Sequence, residues 1–272
     1  MLKIRFENEK RAFIFAPIMK KKRLQQLMDL LQERQNLDCF EAAEYLGVSL
    51  PTIRRDFAWL ADKGMARRFH GGIAVLDGND NSVFPIALRH TLDMNQKREI
   101  AALVAKEIPE SGALFIDGGT TTACLAPFLS KPNLHVITNS LTLLHCVEEM
   151  SAPHAHLTMT GGDYHRPTGN LLGLEAVRTI SHYHVDLSII SCTALDENYL
   201  YDDPEASSAI QRAMFENSER VIVMADACKL GKHALYKSLP IEKIQALFTN
   251  YTPDKAEIIE SIRKKGVDVF FA

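Results

Sequence analysis

Apolar residues recur at helical intervals from about residue 20 to 60, then change to short unbroken runs beyond about residue 110, and this change of rhythm divides the chain. Leu24, Leu27, Leu30 and Leu31 lie on one helical face and predict an amphipathic helix from about residue 20 to 34. Asp38 is placed to cap a second helix, CFEAAEYLG, whose narrow apolar face is Ala42, Ala43 and Leu46 and which Gly47 ends. Small residues there admit a close neighbouring helix, and Gly47 permits a left-handed turn. Ser49 is a suitable N-cap for a third helix, with Pro51 in the first turn, where its missing N–H costs nothing. In that helix Ile53, Phe57 and Leu60 share one face. MARRFHGGIAVL then reads as strand, Gly71-Gly72 turn and strand. Three helices with a tight turn and a following hairpin predict a small winged helix–turn–helix domain.

The segment LDGNDNSVFPIALRHTLDMNQ is polar and turn-rich at first and reads as a connection. After it, NQKREIAALVAKEI has helical periodicity, and ALFID, LHVIT, HLTMT, VDLSIIS, RVIVMAD and QALFT are apolar runs mostly separated by helical stretches. Buried strands interleaved with helices predict an α/β domain with a mostly parallel sheet. The expected organisation is an extension over 1–18, the winged domain over 19–76, a linker over 77–94 and the α/β domain over 95–272. Residues 1–18 fit neither pattern; they are either a genuine arm or a start-site error, because Met19 directly precedes the first helix.

Composition narrows the class. With 46% hydrophobic and 24% charged residues the chain has the make-up of a soluble globular protein, and it carries no apolar run of about 18 residues. FIFAPIM is too short for a signal core and is followed by lysines, so the sequence reads as cytoplasmic, with no membrane partner. Cys39, Cys124, Cys146, Cys192 and Cys228 are odd in number, scattered and without a C-x-x-C pair, which argues against disulfides and structural zinc. The histidines of HAH (154–156) and HYH (182–184) have no acidic or cysteine partner at ligand spacing, so no metal is expected. Cys124 lacks a His/Asp arrangement nearby, and Trp59 reads as a packing residue. The net charge of −3 conceals an asymmetry: residues 1–70 hold 14 Lys+Arg against 9 Asp+Glu, and the rest hold 17 against 25. A basic head on an acidic body points to a polyanion met by the head alone.

On a helical wheel Arg54 and Arg55 lie opposite the apolar triplet, with Thr52 on the flank. That is the layout of a recognition helix, held by its apolar side with its polar side turned to the major groove. Arginine forks bond guanine edges or clamp phosphates, Thr52 can meet a thymine methyl, and Ser49 with the helix-start N–H groups suits a phosphate. Arg67, Arg68 and His70 would lay the wing along the backbone or minor groove. The competing reading is a solvated surface pair salt-bridged to Asp56 or Asp62.

In the body, the residues that follow each strand matter most, since ligands of parallel sheets bind at carboxyl ends. After ALFI come Asp117, Gly118, Gly119, Thr120, Thr121 and Thr122, a combination of glycines, hydroxyls and a helix start that suits an oxyanion. Thr138, Asn139 and Ser140, then Thr160, Gly161 and Gly162, then Ala225, Asp226, Lys229 and Gly231 follow other runs. Convergent small, polar and cationic groups predict an anionic small-molecule site, although caps and turns account for some of them, notably Ser140.

VSLPTIRRDFAWLADKGMARRFHGG (48–72) resembles the winged helix–turn–helix signature of DeoR-type bacterial transcription regulators, a V-S-x-x-T-I-R-R-D core followed by a basic wing ending in H-G-G. DGGTTT, ITNS, TGG with a further Gly173, and ADACKLG are similar to the sensor domain of that family, which is related in fold to ribose-5-phosphate isomerase and responds to phosphorylated sugars. The resemblance spans residue 20 to the C-terminus. It implies operator-DNA contacts at Ser49, Thr52, Arg54, Arg55, Arg67, Arg68 and His70, and effector contacts at Asp117, Gly119, Thr120, Thr121, Asn139, Gly161, Gly162 and Lys229. It implies a regulator of a carbohydrate-use operon that needs no cofactor. Paired DNA half-sites add a dimer or tetramer. The alternative is a sugar-phosphate isomerase with Asp117 and Lys229 as acid/base groups and an accessory head. The sequence departs from the family at Ser207 (acidic), Gln211 (lysine), Leu230 (aromatic) and Cys228 (small hydroxyl).

Overall fold

The computed structural model describes residues 23, 24, 26–28, 30, 31, 34–62, 66–74, 93–150 and 155–272. The extension over 1–18 and nearly all of the linker over 77–94 lie outside them. Internal contacts separate two units, Met1–Leu92 and Asp93–Ala272.

In the first unit the described helical residues from Arg23 to Arg34 bury Leu24, Leu27, Met28, Leu30 and Leu31. A short strand follows that the periodicity does not predict, β1 (Asn36–Asp38). Asp38 is both the end of β1 and the N-cap of α1 (Cys39–Leu46), its carboxylate accepting from Phe40 N at 2.7 Å. Gly47 ends α1 at φ 62°, where its N–H reaches the Ala43 and Glu44 carbonyls. α2 (Leu50–Asp62) buries Ile53, Phe57 and Leu60, the expected face, and Asp56 with them. The wing is β2 (Arg67–Phe69) and β3 (Gly72–Ala74), and β1 adds to it antiparallel in the order β1-β3-β2. Leu37 and Arg68 flank Ile73 across the sheet, so Ile73 and Leu37 turn into the core that Leu27, Leu31, Ile53, Phe57 and Leu60 fill.

The second unit begins with α3 (Met94–Val104). Its main sheet takes β4 (Gly112–Ile116), β5 (Leu134–Thr138), β6 (His156–Met159), β9 (Val185–Ile190), β12 (Ser218–Met224), β14 (Ala246–Thr249) and β15 (Asp268–Phe271). The order is β15-β14-β12-β9-β4-β5-β6, and every neighbouring pair is parallel. All six expected apolar runs are strands of this sheet; β15, in which exposed Asp268 and Phe270 alternate with buried Val269, is the addition. Strand residues alternate between two apolar layers. Phe115, Ile137, Val221 and Val223 face α5 (Leu174–Ile180), α6 (Glu205–Glu216) and α7 (Ala256–Arg263). Leu114, Ile116, Val136, Ile222 and Met224 face α3, the segment 122–128 and α4 (Leu141–Glu148). That segment, expected as a helix in TTACLAPFL, is 3₁₀ with Pro127 inside it, which cannot donate an α-helical hydrogen bond. The hairpin β7 (Asp163–His165) and β8 (Asn170–Leu172) and the antiparallel β10 (Ala194–Leu195), β11 (Tyr199–Asp202) and β13 (Tyr236–Pro240) complete the unit.

From β4 the chain winds through β5 to β6 on one side, and from β9 through β12 and β14 to β15 on the other. The order therefore reverses between the adjacent strands β4 and β9, the place where a doubly wound sheet opens at its carboxyl edge.

Candidate functional site

Two places carry concentrated chemistry. On the first unit, Arg54 and Arg55 are exposed on α2 opposite the buried Ile53, Phe57 and Leu60, with Thr52 half-buried and Ser49 exposed beside them. Ser49 holds the N-cap position and its carbonyl receives the N–H groups of Thr52 and Ile53 at 2.9 and 3.2 Å. Its hydroxyl, however, lies 2.9 Å from the Thr52 hydroxyl, so the two side chains form one polar pair at the helix start.

The nearest candidate neutraliser of the arginines points the other way. Asp56 is buried and takes a two-pronged bond from Arg23, Nε to Oδ2 at 2.6 Å and Nη2 to Oδ1 at 3.3 Å. The expected alternative, Asp56 as surface partner of Arg54 or Arg55, is thereby corrected: helical phase turns it to the Phe57 side. Arg67, Arg68 and His70 are all exposed on the wing. Burial first, then Asp38, push the Cys39 thiol at the start of α1 up, against the opposing charges of Arg54 and Arg68.

On the second unit the segment after β4 lies at the switch point. Asp117 is buried: Oδ1 accepts from Gly118 N at 2.7 Å and Oδ2 from Gln211 Nε2 at 3.0 Å. Gln211, from α6, also donates Nε2 to Asp202 Oδ2 at 2.6 Å and to the Ser191 carbonyl at 2.8 Å, while its Oε1 accepts from the Ser238 hydroxyl. Burial first, then the nearby Asp202 carboxylate, push Asp117 up to about 7. Thr122 ties the turn by donating to the Asp117 and Gly119 carbonyls at 2.8 and 3.1 Å. Gly119 packs on Ser191, where an added Cβ would come within 3.1 Å. Thr120 and Thr121 are buried, and the Thr121 hydroxyl has no hydrogen-bond partner among the described residues.

Lys229 reaches this point from the 3₁₀ turn 227–229 after β12, its Nζ donating to the Cys192 carbonyl at 2.7 Å with Ser191 Oγ at 3.4 Å. A second cation joins it. Lys97, in the first turn of α3, is only 3% exposed. Burial lowers its pKa, Asp226 and Asp93 oppose that, and Lys229 adds to it. At the end of β5, Ser140 caps α4 by accepting from Leu143 N at 3.1 Å, as expected. Asn139 beside it is 1% exposed, and neither atom of its amide has a partner among the described residues.

Asp117, Gly119, Thr120, Thr121 and Lys229 are therefore gathered around the ends of β4 and β9, with Asn139 one strand over. Gly161 and Gly162 stand apart: both are exposed at the end of the outer strand β6, in left-handed conformations of φ 69° and 106°. They turn the chain into the β7–β8 hairpin, whose Asn170 returns to the cradle. Lys97, Asn170, Ser191 and Asp202 escaped sequence reasoning. Lys97 reads there as one more polar position of an amphipathic helix, and the others sit in segments without a motif. Gln211 carried a signal, as a neutral residue beside Arg212 where a lysine was expected. Cys192 and Cys228 are pushed up to about 12 by burial, which leaves both thiols protonated.

A winged helix–turn–helix unit with an outward arginine face, followed in the chain by a doubly wound parallel sheet with a polar cradle at its switch point, defines a protein with one nucleic-acid-type and one small-ligand-type module. Residues 23–79 match the DeoR-like helix-turn-helix domain and residues 92–251 the DeoR C terminal sensor domain; the chain belongs to the DeoR family. It is 32% identical to the glycerol-3-phosphate regulon repressor of Haemophilus influenzae, over 85% of this chain and 90% of that one. It is 28% identical to a putative aga operon transcriptional repressor of Escherichia coli O157:H7, over 91% and 92% of the two chains. Among solved structures, ribose 5-phosphate isomerase A of Methanocaldococcus jannaschii is similar at 14% identity and a TM-score of 0.37, covering 51% of this chain and 55% of that one. No described helix is long and apolar enough to cross a membrane.

Proposed function

We propose that this protein is a transcriptional repressor of a carbohydrate-use operon, working in the cytoplasm, with α2 in the DNA major groove and a phosphorylated sugar or sugar alcohol bound at the carboxyl edge of the sensor sheet. The observation that carries the DNA role is the exposed Arg54–Arg55 pair, set opposite a buried apolar face while the adjacent Asp56 is sequestered by Arg23. Ser49, Thr52, Arg67, Arg68 and His70 supply phosphate and groove contacts around it. The relatives named for an aga operon and a glycerol-3-phosphate regulon support a sugar or polyol phosphate as the effector class. Lys229 and Lys97 support an anion, with Gly119, Thr120 and Thr121 around it. In this reading Gly161 and Gly162 act by placing the hairpin, and Asp117 by organising the floor with Gln211.

The decisive experiment is a mobility-shift titration on DNA flanking the gene. Arg55→Ala lowers affinity at least about a hundredfold while the melting temperature is unchanged; unaltered affinity refutes the assignment. Paired half-sites call for a homodimer or homotetramer, which sedimentation of the full chain measures. The protein acts as a regulator and turns over no pentose or hexose phosphate in a coupled assay.

A further inference from the structure

The cradle holds a second kind of chemistry beside its cations. Asn139, from the end of β5, and Asn170, from the start of β8, are 1% and 4% exposed. Their segments are locked together, since Leu171 N donates to the Asn139 carbonyl at 2.8 Å and Ser140 bridges to Asn170. The Asn170 amide lies directly over Gly118: a Cβ built there would fall 2.1 Å from Asn170 Oδ1 and 2.2 Å from Nδ2. Glycine at 118 is thus what lets this amide reach the loop after β4. Both side-chain atoms of Asn139, Oδ1 of Asn170 and the hydroxyl of Thr121 have no hydrogen-bond partner among the described residues.

Buried polar groups are ordinarily satisfied, and leaving one unpaired costs about 1–3 kcal/mol. Four unpaired atoms on three neighbouring segments at a switch point are therefore a recognition surface, and their chemistry says for what. Amides and a hydroxyl offer donors and acceptors without charge. The donors among them can serve either a phosphate or an alcohol, but Oδ1 of Asn139 and of Asn170 only accept, so they suit an alcohol O–H and would meet an ionised phosphate oxygen acceptor to acceptor.

We propose that Asn139 and Asn170 form a hydroxyl-binding subsite that reads the polyol part of the effector, with Asn170 as the specificity-determining residue. The inference rests on the reading of the sensor domain as a sugar-phosphate site and divides that site in two: lysines for the phosphate, amides for the hydroxyls. A site built to bond a hydroxyl rejects an analogue lacking it far more strongly than an apolar pocket rejects an extra group.

The test compares inorganic phosphate with glycerol 3-phosphate, ribose 5-phosphate and fructose 6-phosphate by calorimetric titration of the full chain. Wild-type protein prefers at least one of the esters to inorganic phosphate. Asn170→Leu, similar in shape but without polar atoms, reduces that preference about tenfold or more, leaves inorganic phosphate binding unchanged and changes the ranking among the esters. Asn170→Ala, which cannot crowd Gly118, does the same and guards against a folding defect in the leucine variant. Equal ester preference in wild type and both variants overturns the inference alone. A parallel loss of phosphate and ester binding in both also overturns it, because it marks a structural role. Wild-type protein that binds none of the phosphates overturns the sensor-domain reading as well.

Discussion

Gln211 is a neutral amide set between two carboxylates. Its Nε2 carries two hydrogens and faces three acceptors, Asp117 Oδ2, Asp202 Oδ2 and the Ser191 carbonyl, while Oε1 accepts from the Ser238 hydroxyl; the Asp202 carboxylate and the Ser191 carbonyl, which only accept, keep the amide from reversing. The amide has fewer hydrogens than acceptors; burial first, then the facing Asp202 carboxylate, push the Asp117 carboxyl up to about 7, and the Gln211 bond offsets only part of this. An unfolded aspartate titrates near 4, so between about pH 4 and 7 the unfolded chain ionises at this position while the folded chain keeps its proton. Stability is thus lost as pH rises through that window. Asp117→Asn removes the penalty: its melting temperature exceeds the wild type's at pH 8 by about 5 °C more than at pH 5, read from thermal melts at the two pH values. In the head the decisive residue is Asp56. Arg23→Met leaves a buried carboxylate without its partner and costs about 2–3 kcal/mol in urea denaturation, and adding Asp56→Leu restores most of it. If the single variant is neutral, the ion pair contributes nothing to the head.

Elements divide by whether their pattern was local. α1, α2 and the wing were legible because a cap at Asp38, a stop at Gly47 and the triplet Ile53, Phe57, Leu60 each act within a turn or two of the chain. The six buried strands were legible because a strand covered on both faces reads as an unbroken apolar run. β1 was not: three residues, Asn36–Asp38, carry too short an alternation, and they become a strand only because β3 offers an open edge. The site followed the same rule. Strand-end motifs announced Asp117 to Thr121, whereas Lys97, Asn170 and Asp202 enter through tertiary contacts that no spacing encodes. The wing supplies a test at this scale. Arg67→Ala and Arg68→Ala each weaken DNA binding about equally on cognate and unrelated sequences, and each lowers the slope of log affinity against log salt by about 0.9; a change in sequence preference instead would assign them to base edges.

At the scale of the whole molecule, regulation requires that the effector favour one of two DNA affinities, so it must bind the corresponding arrangements unequally. Adding the preferred sugar phosphate to the full chain raises the melting temperature and shifts the DNA titration in the same samples; Lys229→Ala loses both responses together. Persistence of the DNA response in that variant would place the effector elsewhere. Mass action makes the two effects reciprocal, so operator DNA alters sugar-phosphate affinity by the same factor.

The adjacency of β4 and β9 also sets a timetable. β4, an interior strand, is the first of the sheet to be synthesised, yet one of its two neighbours is not complete until residue 190, and the amide beneath Asp117 comes only with residue 211. During synthesis the growing chain must hold β4 paired on one side only through some seventy residues, exposing Phe115 and Ile116 to whatever apolar surface is near. The winged unit is therefore synthesised whole while the cradle at the switch point is still open, and the cradle closes only once Lys229 has been added to the chain.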